Sequence, residues 1–171
     1  MMATLLAFFS VVSAFEFQLS RLPSYGTPPK PMTNVAAAYN NETNEIFVFG
    51  GQNLETEQYS STIFKFSLDT LVWDEVYCGS DLKPPGLMSA IVLMQSSTKL
   101  LVLFGNTFNE ISSECYSFDF NILTWEIVKL KGDQIIGRVK SAYHEFEYNS
   151  TRYLALYGGT TFTGESSEIF L

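Results

Sequence analysis

Residues 46–51 read Ile-Phe-Val-Phe-Gly-Gly, an apolar run that ends in glycine and decides the fold. The same kind of run returns at residues 100–106 (Leu-Leu-Val-Leu-Phe-Gly-Asn) and at residues 153–159 (Tyr-Leu-Ala-Leu-Tyr-Gly-Gly). Glycines stand at positions 50, 105 and 158, so the steps between them are 55 and 53 residues. Such a regular period predicts a repeat architecture rather than an ordinary single-core domain.

Each repeat has four strands in the same order. A first strand rich in small and apolar residues is followed by a polar turn and then by the glycine-ended strand. After a polar loop, residues 63–73 align without gaps with residues 115–125, which places Trp73 and Trp125 52 residues apart. The first strands are predicted at residues 35–39, 89–94 and 141–148.

The glycine-ended strands are continuous apolar runs rather than alternating ones. Strands of this kind are typically covered on both faces. The terminal glycine permits a positive φ and a close approach of the backbone. A small sheet buried on both sides and repeated along the chain is what a β-propeller blade requires, with Trp73 and Trp125 filling the space between neighbouring blades.

These repeats resemble kelch repeats, which carry a glycine doublet, an aromatic residue before the last turn and a tryptophan after it. The second repeat departs from the pattern with Gly105-Asn106, and only Arg138 stands where the family often has an arginine opening the blade. The resemblance implies an all-β, partial kelch-type β-propeller of about three four-stranded blades. The matching residues are Gly50, Gly51, Gly158 and Gly159 for the doublets, Phe66 and Phe118 for the aromatic position, and Trp73 and Trp125.

The repeats divide residues 15–171 into four segments. Residues 15–22 open with an apolar–polar alternation and are predicted to form a lone outer strand. Residues 32–79 form blade 1, residues 86–130 form blade 2, and residues 138–171 form an incomplete blade 3 that lacks its tryptophan strand.

Three interpretations of this division remain open. The chain is a fragment of a longer propeller, or two copies assemble into a six-bladed ring, or the blades stay an open stack. An open stack would expose apolar blade faces and promote self-association.

The first fourteen residues predict a secretory signal peptide. Residues 1–14 are apolar and uncharged, and they are too short to span a bilayer. A buried first strand is the alternative. Two glycosylation sequons, at Asn41 and Asn149, lie in equivalent turns of two repeats and also favour the secretory pathway, although asparagine is common in turns for its own reasons.

Net charge and cysteine content exclude several classes of function. A formal net charge of −8 argues against nucleic acid and anionic membrane surfaces as partners. After residue 14, no segment is long and apolar enough to be a predicted membrane span. The two cysteines, Cys78 and Cys115, form no zinc-binding motif, and the sequence leaves open whether they pair in a disulfide or stay separate thiols.

No catalytic, metal-binding or cofactor-binding motif is found, and we expect no cofactor. The kelch-like fold also resembles the central domain of galactose-oxidase-type copper enzymes, but such a site needs several histidine and tyrosine ligands. This chain has one histidine, His144, in a predicted strand. The alternative function is therefore part of a galactose-oxidase-like enzyme whose catalytic residues lie outside this chain.

The loops that follow the glycines are the predicted binding surface. Residues 52–61, 107–113 and 160–167 would share one face of a propeller, and a rigid scaffold commonly presents binding residues on such loops. We expect this rim to contact a protein or a glycan, with a merely solvated edge as the alternative. Ligand spacing for Ca²⁺ is lacking. The predicted rim residues are Glu55, Glu57, Tyr59, Phe108, Glu110, Phe162 and Glu165.

Overall fold

A computed structural model describes residues 20–171, which form seventeen strands and no helix. The predicted signal peptide and most of the predicted lone outer strand lie outside these residues, and residues 20–22 are in no strand. The strands are β1 Tyr25–Gly26, β2 Met32–Thr33, β3 Ala36–Asn40, β4 Glu45–Phe49, β5 Gln52–Asn53, β6 Ile63–Ser67, β7 Val72–Val76, β8 Ile91–Ser96, β9 Lys99–Leu103, β10 Cys115–Asp119, β11 Thr124–Ile127, β12 Arg138–Val139, β13 Ala142–Tyr148, β14 Thr151–Tyr157, β15 Thr160–Thr161, β16 Gly164–Glu165 and β17 Ile169–Phe170.

Three antiparallel sheets follow one another along the chain. The first blade is β3-β4-β6-β7, with the short β1 added parallel to β7 at its outer edge. The middle blade is β8-β9-β10-β11, and the third blade is β13-β14-β17. Two smaller sheets, β2-β5 and β12-β15-β16, lie beside the loops that follow the glycines. The prediction of an all-β partial propeller with an incomplete last blade is confirmed.

Tight turns join the strands within a blade, because their residues accept left-handed backbone angles. Asn149 (φ 50°) and Ser150 (φ 58°) connect β13 to β14, and a two-residue hairpin commonly needs positive φ at both positions. Asn44 has a φ of 55° in the equivalent turn of the first blade. Asparagine tolerates this conformation better than most residues, which explains its place in these turns.

Each blade has two faces, because side chains alternate along a strand. The back face of the middle blade includes Leu100, Val102 and Trp125, and it packs in one cluster with the first blade. Its front face includes Leu103 and Cys115, and it packs in a second cluster with the third blade. The front face of one blade therefore covers the back face of the next.

The prediction that the second repeat has Gly105-Asn106 in the doublet position is wrong by one residue. Phe104 occupies the first doublet position, with a φ of 58°, and Gly105 occupies the second, with a φ of 105°. The cross-strand register supports this, since Phe49 pairs with Ile63 and Leu103 pairs with Cys115. The doublet positions are then 50, 104 and 158, so both steps are 54 residues.

The prediction that the glycine-ended strands are covered on both faces holds for the middle blade alone. In the first blade, Ile46 and Val48 on the back face are half-buried. In the third blade, Tyr157 on the front face is 54% exposed. Trp73 is also half-buried and stacks on Phe66 of its own blade at 4.9 Å, so it does not fill a space between two blades.

Arg138 opens the third blade as a buried cation. Its side chain is fully buried and donates hydrogen bonds to the carbonyl oxygens of Ile136 at 3.1 Å and Gly158 at 3.0 Å. Its remaining nitrogen lies 3.2 Å from a carboxylate oxygen of Glu168, and the guanidinium lies 4.8 Å from the ring centroid of Phe170. This network fixes β17 against the start of the blade.

The two cysteines are free thiols that belong to different cores. Cys78 packs against the cluster between the first and middle blades, and Cys115 lies in the cluster between the middle and third blades. Burial raises the pKa of the Cys115 thiol to about 11, so this thiol stays protonated at neutral pH.

Candidate functional site: the loop rim

One hydrogen-bonding frame positions all three loops that follow the glycine doublet positions. A serine at the end of each loop donates its amide N–H to the carbonyl oxygen of the glycine at the second doublet position. The hydroxyl of the same serine accepts a hydrogen bond from the amide N–H two residues later, at 3.1–3.2 Å. The three loops therefore leave and rejoin their blades at the same edge. The pairs are Ser60–Gly51 at 2.9 Å, Ser112–Gly105 at 2.8 Å and Ser166–Gly159 at 2.9 Å.

Gly51 shows why the second doublet position requires glycine. Its φ is +90°, and a Cβ there would lie 2.5 Å from Cγ1 of Val35 and 2.9 Å from the carbonyl oxygen of Thr33. Both the backbone angle and the available space exclude a side chain. The close approach holds the first loop against the strand segment that precedes the blade.

The first loop places its two predicted carboxylates in solvent. The side-chain oxygen of Asn53 accepts the amides of Glu55 at 2.8 Å and Thr56 at 3.1 Å, which closes a compact turn. Glu57 follows with a φ of 59°, and its carbonyl accepts a hydrogen bond from the Gln52 side chain at 3.1 Å. Backbone bonds shape this loop, so the side chains of Glu55 and Glu57 are exposed and available for a partner.

The second loop is organised by Thr107. Its hydroxyl accepts the amides of Asn109 at 3.2 Å and Glu110 at 3.0 Å, and it donates to the Glu110 carbonyl at 3.0 Å. Phe108 stands at the tip of this turn with 82% of its surface exposed. A large aromatic side chain on a well-bonded turn is an exposed anchor at low entropic cost.

Across the boundary between the first two blades, the structure brings Tyr59 and Phe108 together. Their ring centroids lie 6.1 Å apart in an edge-on arrangement. The third loop is the β15–β16 hairpin, with Phe162 74% exposed at its tip and Glu165 exposed at its end. Among residues 20–171, no aromatic pair joins Phe162 to the other two rings, so the rim has one aromatic pair and one separate aromatic tip.

The rim is acidic. Within the part of the chain that the structure describes, the side chains of Glu55, Glu57, Glu110 and Glu165 take part in no ion pair. The same residues 20–171 contain no group of three or more His, Cys, Asp or Glu side chains that could hold a metal ion. His144 is exposed on the front face of the third blade, away from the rim loops.

A cleft beside the first loop adds Lys30 and Met32, which the sequence did not indicate, to the predicted Tyr59. It has a volume of about 300 Å³ and is lined by Lys30, Met32, Gln58 and Tyr59 among others. Lys30 and Met32 reach it because β2 pairs with β5, which carries the start of the loop. The pairing of β2 with β5 depends on the three-dimensional structure, and the local sequence contains no signal for it.

A larger cleft of about 560 Å³ lies between the middle and third blades. Its walls are mainly apolar, with Leu93 and Leu101 of the middle blade on one side and Leu154 of the third blade on the other. Arg152 crosses between the blades, donating to the Met94 carbonyl at 2.6 Å and to a carboxylate oxygen of Glu145 at 2.7 Å. None of the predicted rim residues lines this cleft.

The sequence matches a known family model. A family model described as the KLHDC2/KLHL20/DRC7 Kelch-repeats domain matches residues 7–170. No curated protein matches the chain. Residues 20–171 hold no helix with the length and hydrophobicity needed to cross a lipid bilayer.

Proposed function

Because the chain belongs to the kelch-repeat family, whose repeats generally mediate protein–protein interaction, we propose that it is a non-catalytic module that binds a protein through the loop rim. The observation that carries this proposal is the exposure of aromatic side chains on rigid turns. Phe108 and Phe162 are 82% and 74% exposed, although each sits in a loop whose backbone is fixed by hydrogen bonds. Buried aromatic anchors dominate the energy of many interfaces.

The charge of the rim specifies the chemistry of the partner. Four exposed carboxylates lie on the same loops as the aromatic side chains, and the whole chain has a formal net charge of −8. Complementary charge steers association and disfavours acidic partners. The proposed partner is therefore a protein segment with an apolar or aromatic anchor flanked by basic residues, and a glycan is the second class that such a rim would accept.

Two sequons support placement in the secretory pathway. Asn41 and Asn149 are exposed and lie 108 residues apart, which is twice the 54-residue step. Both lie in the turn between the first and second strands of a blade, at the strand ends opposite the rim loops. Glycans on these asparagines would leave the rim free. We propose that the protein is secreted or surface-exposed, and a mobility shift after glycan removal from secreted material tests this.

The expectation that the chain is a fragment of a longer propeller stays a prediction. Open faces on the first and third blades are expected of any partial propeller, whether further blades or a second copy covers them, since blades of a closed propeller cover one another. Further repeats in adjacent coding sequence would confirm it.

Affinity purification with matched variants tests the binding proposal. The bait is the purified chain, incubated with extracellular proteins from its source, and retained proteins are quantified by mass spectrometry. The double substitution Phe108→Ala/Phe162→Ala should reduce retention of specific partners at least about tenfold, because interface anchors of this kind commonly cost over 1 kcal/mol on truncation.

Ile122→Ala is the control, because Ile122 is an equally apolar side chain, 66% exposed, in the turn between β10 and β11 at the opposite end of the middle blade. The control should retain the same proteins as the unmodified chain. Retention of the same set by the double variant would contradict binding through the rim.

A further inference from the structure

The front face of the third blade is an exposed apolar surface. Tyr148 is 63% exposed, Tyr157 54% and Ile169 68%. Phe146 stacks on Tyr153 at a centroid distance of 5.4 Å on the same face. A surface of contiguous aromatic and aliphatic side chains is characteristic of a contact site.

The equivalent positions in the other two blades are buried. Tyr157 corresponds to Leu103, which is 3% exposed, because each precedes its doublet position and pairs with the first residue of the third strand. Ile169 corresponds to Cys115, which is 2% exposed, and to Ile63, which is 3% exposed. The third blade thus presents an uncovered copy of a surface that is a blade–blade contact elsewhere in the same molecule.

The back face of the first blade is uncovered as well. Tyr39 is 53% exposed, whereas its equivalent in the middle blade, Met94, is 8% exposed. Trp73 is half-buried, whereas Trp125 is 5% exposed. The molecule therefore has one open front face and one open back face at its two ends.

The internal contacts show what covers each kind of face. The front face of the first blade covers the back face of the middle blade, and the front face of the middle blade covers the back face of the third. We propose that the open front face of the third blade docks the open back face of the first blade in a second copy of this chain. Two copies would then close head to tail through two equal contacts.

The number of copies follows from the blade count. Closed propellers typically have about 4–8 blades. Two three-bladed chains together have six blades, which lies within this range, whereas three chains would have nine, which does not. A head-to-tail contact produces a ring when the rotation that relates neighbouring copies returns to the first copy. The inference concerns the 171-residue chain itself and does not rest on the proposed function, because the rim loops lie on neither open face.

Sedimentation equilibrium of the full chain, from about 1 to 100 µM, tests the pairing. We expect a monomer–dimer equilibrium. Tyr157→Glu alone, or Tyr39→Glu alone, should raise the dissociation constant at least about tenfold, since each buries an unpaired charge in both contacts. Both side chains are exposed in the single chain, so folding does not need them, and circular dichroism of each variant checks this.

A mixture of the two variants distinguishes head-to-tail pairing from other dimers. One Tyr157→Glu chain and one Tyr39→Glu chain together retain one unmodified contact, so the mixture should form dimers that neither variant forms alone. Ile122→Glu, outside both faces, should leave association unchanged.

Three results would overturn the proposal. A monomer throughout the concentration range would assign the open faces to further blades of a longer chain. A dimer that Tyr39→Glu leaves unaffected would indicate front-to-front contact. Growth beyond two copies would show that the contact does not close.

Discussion

The middle blade shares its four strands with the first blade and its first three with the third blade, but the burial of equivalent residues differs greatly. In the middle blade, Trp125 lies within 5.0–6.4 Å of Phe49, Tyr116 and Phe118, measured between ring centroids. In the first blade, the equivalent Trp73 stacks on Phe66 and is half-buried. The position within the repeat sets the face on which a side chain lies, and the presence of a neighbouring blade sets how deeply it is buried.

The two tryptophans give the largest expected effect of this difference. Trp125→Ala should destabilise the chain by about 3–5 kcal/mol, because it removes a fully packed side chain and leaves a cavity. Trp73→Ala should cost about 1 kcal/mol, since much of that surface already contacts water. Urea unfolding of both variants below about 1 µM, where association does not contribute, measures both free energies. Equal losses would show that the first blade is covered as fully as the middle one.

Alkaline pH should lower the free energy of unfolding by a smaller amount, through one thiol in the middle blade. Burial raises the pKa of the Cys115 thiol to about 11. Because the folded value lies above the unfolded one, this contribution to stability is complete below about pH 8.5 and is lost as the pH rises towards 11. At pH 10 the loss should be on the order of 1 kcal/mol.

Unfolding of the unmodified chain and of Cys115→Ala between pH 8 and pH 11 isolates this effect. The difference in free energy between the two proteins should shrink by about that amount between pH 8 and pH 10, and by more at pH 11. A constant difference would show that the thiol titrates alike in the folded and unfolded chains and is therefore accessible to water.

The sequence predicted the fold well because the repeats are visible in it. The apolar runs, the aligned tryptophan strands and the turn residues each recur, so strand order within a blade followed directly. The first doublet position of the second repeat was assigned wrongly, because a glycine was expected wherever the backbone is left-handed. Phe104 adopts a φ of 58° there while its side chain is 1% exposed, so packing compensates for an unfavourable backbone angle.

Burial was harder to predict than strand order. Residues 153–157 were predicted to form a strand that is covered on both faces. Within residues 20–171, however, no neighbouring blade covers the front face of the third blade, so Tyr157 is exposed. The rim residues were proposed from loop position alone. The structure adds the contact between Tyr59 and Phe108, which depends on how two blades lie side by side and has no local signal.

Thiol labelling at one repeat position tests the central claim most directly. Cys115 and Ile169 are equivalent residues that are 2% and 68% exposed. In a Cys78→Ala/Ile169→Cys chain kept below about 1 µM, the introduced thiol should react with iodoacetamide at least about 100-fold faster than Cys115, as peptide mapping would show. Similar rates at the two positions would contradict the claim that the middle blade is covered on both faces and the third blade on one.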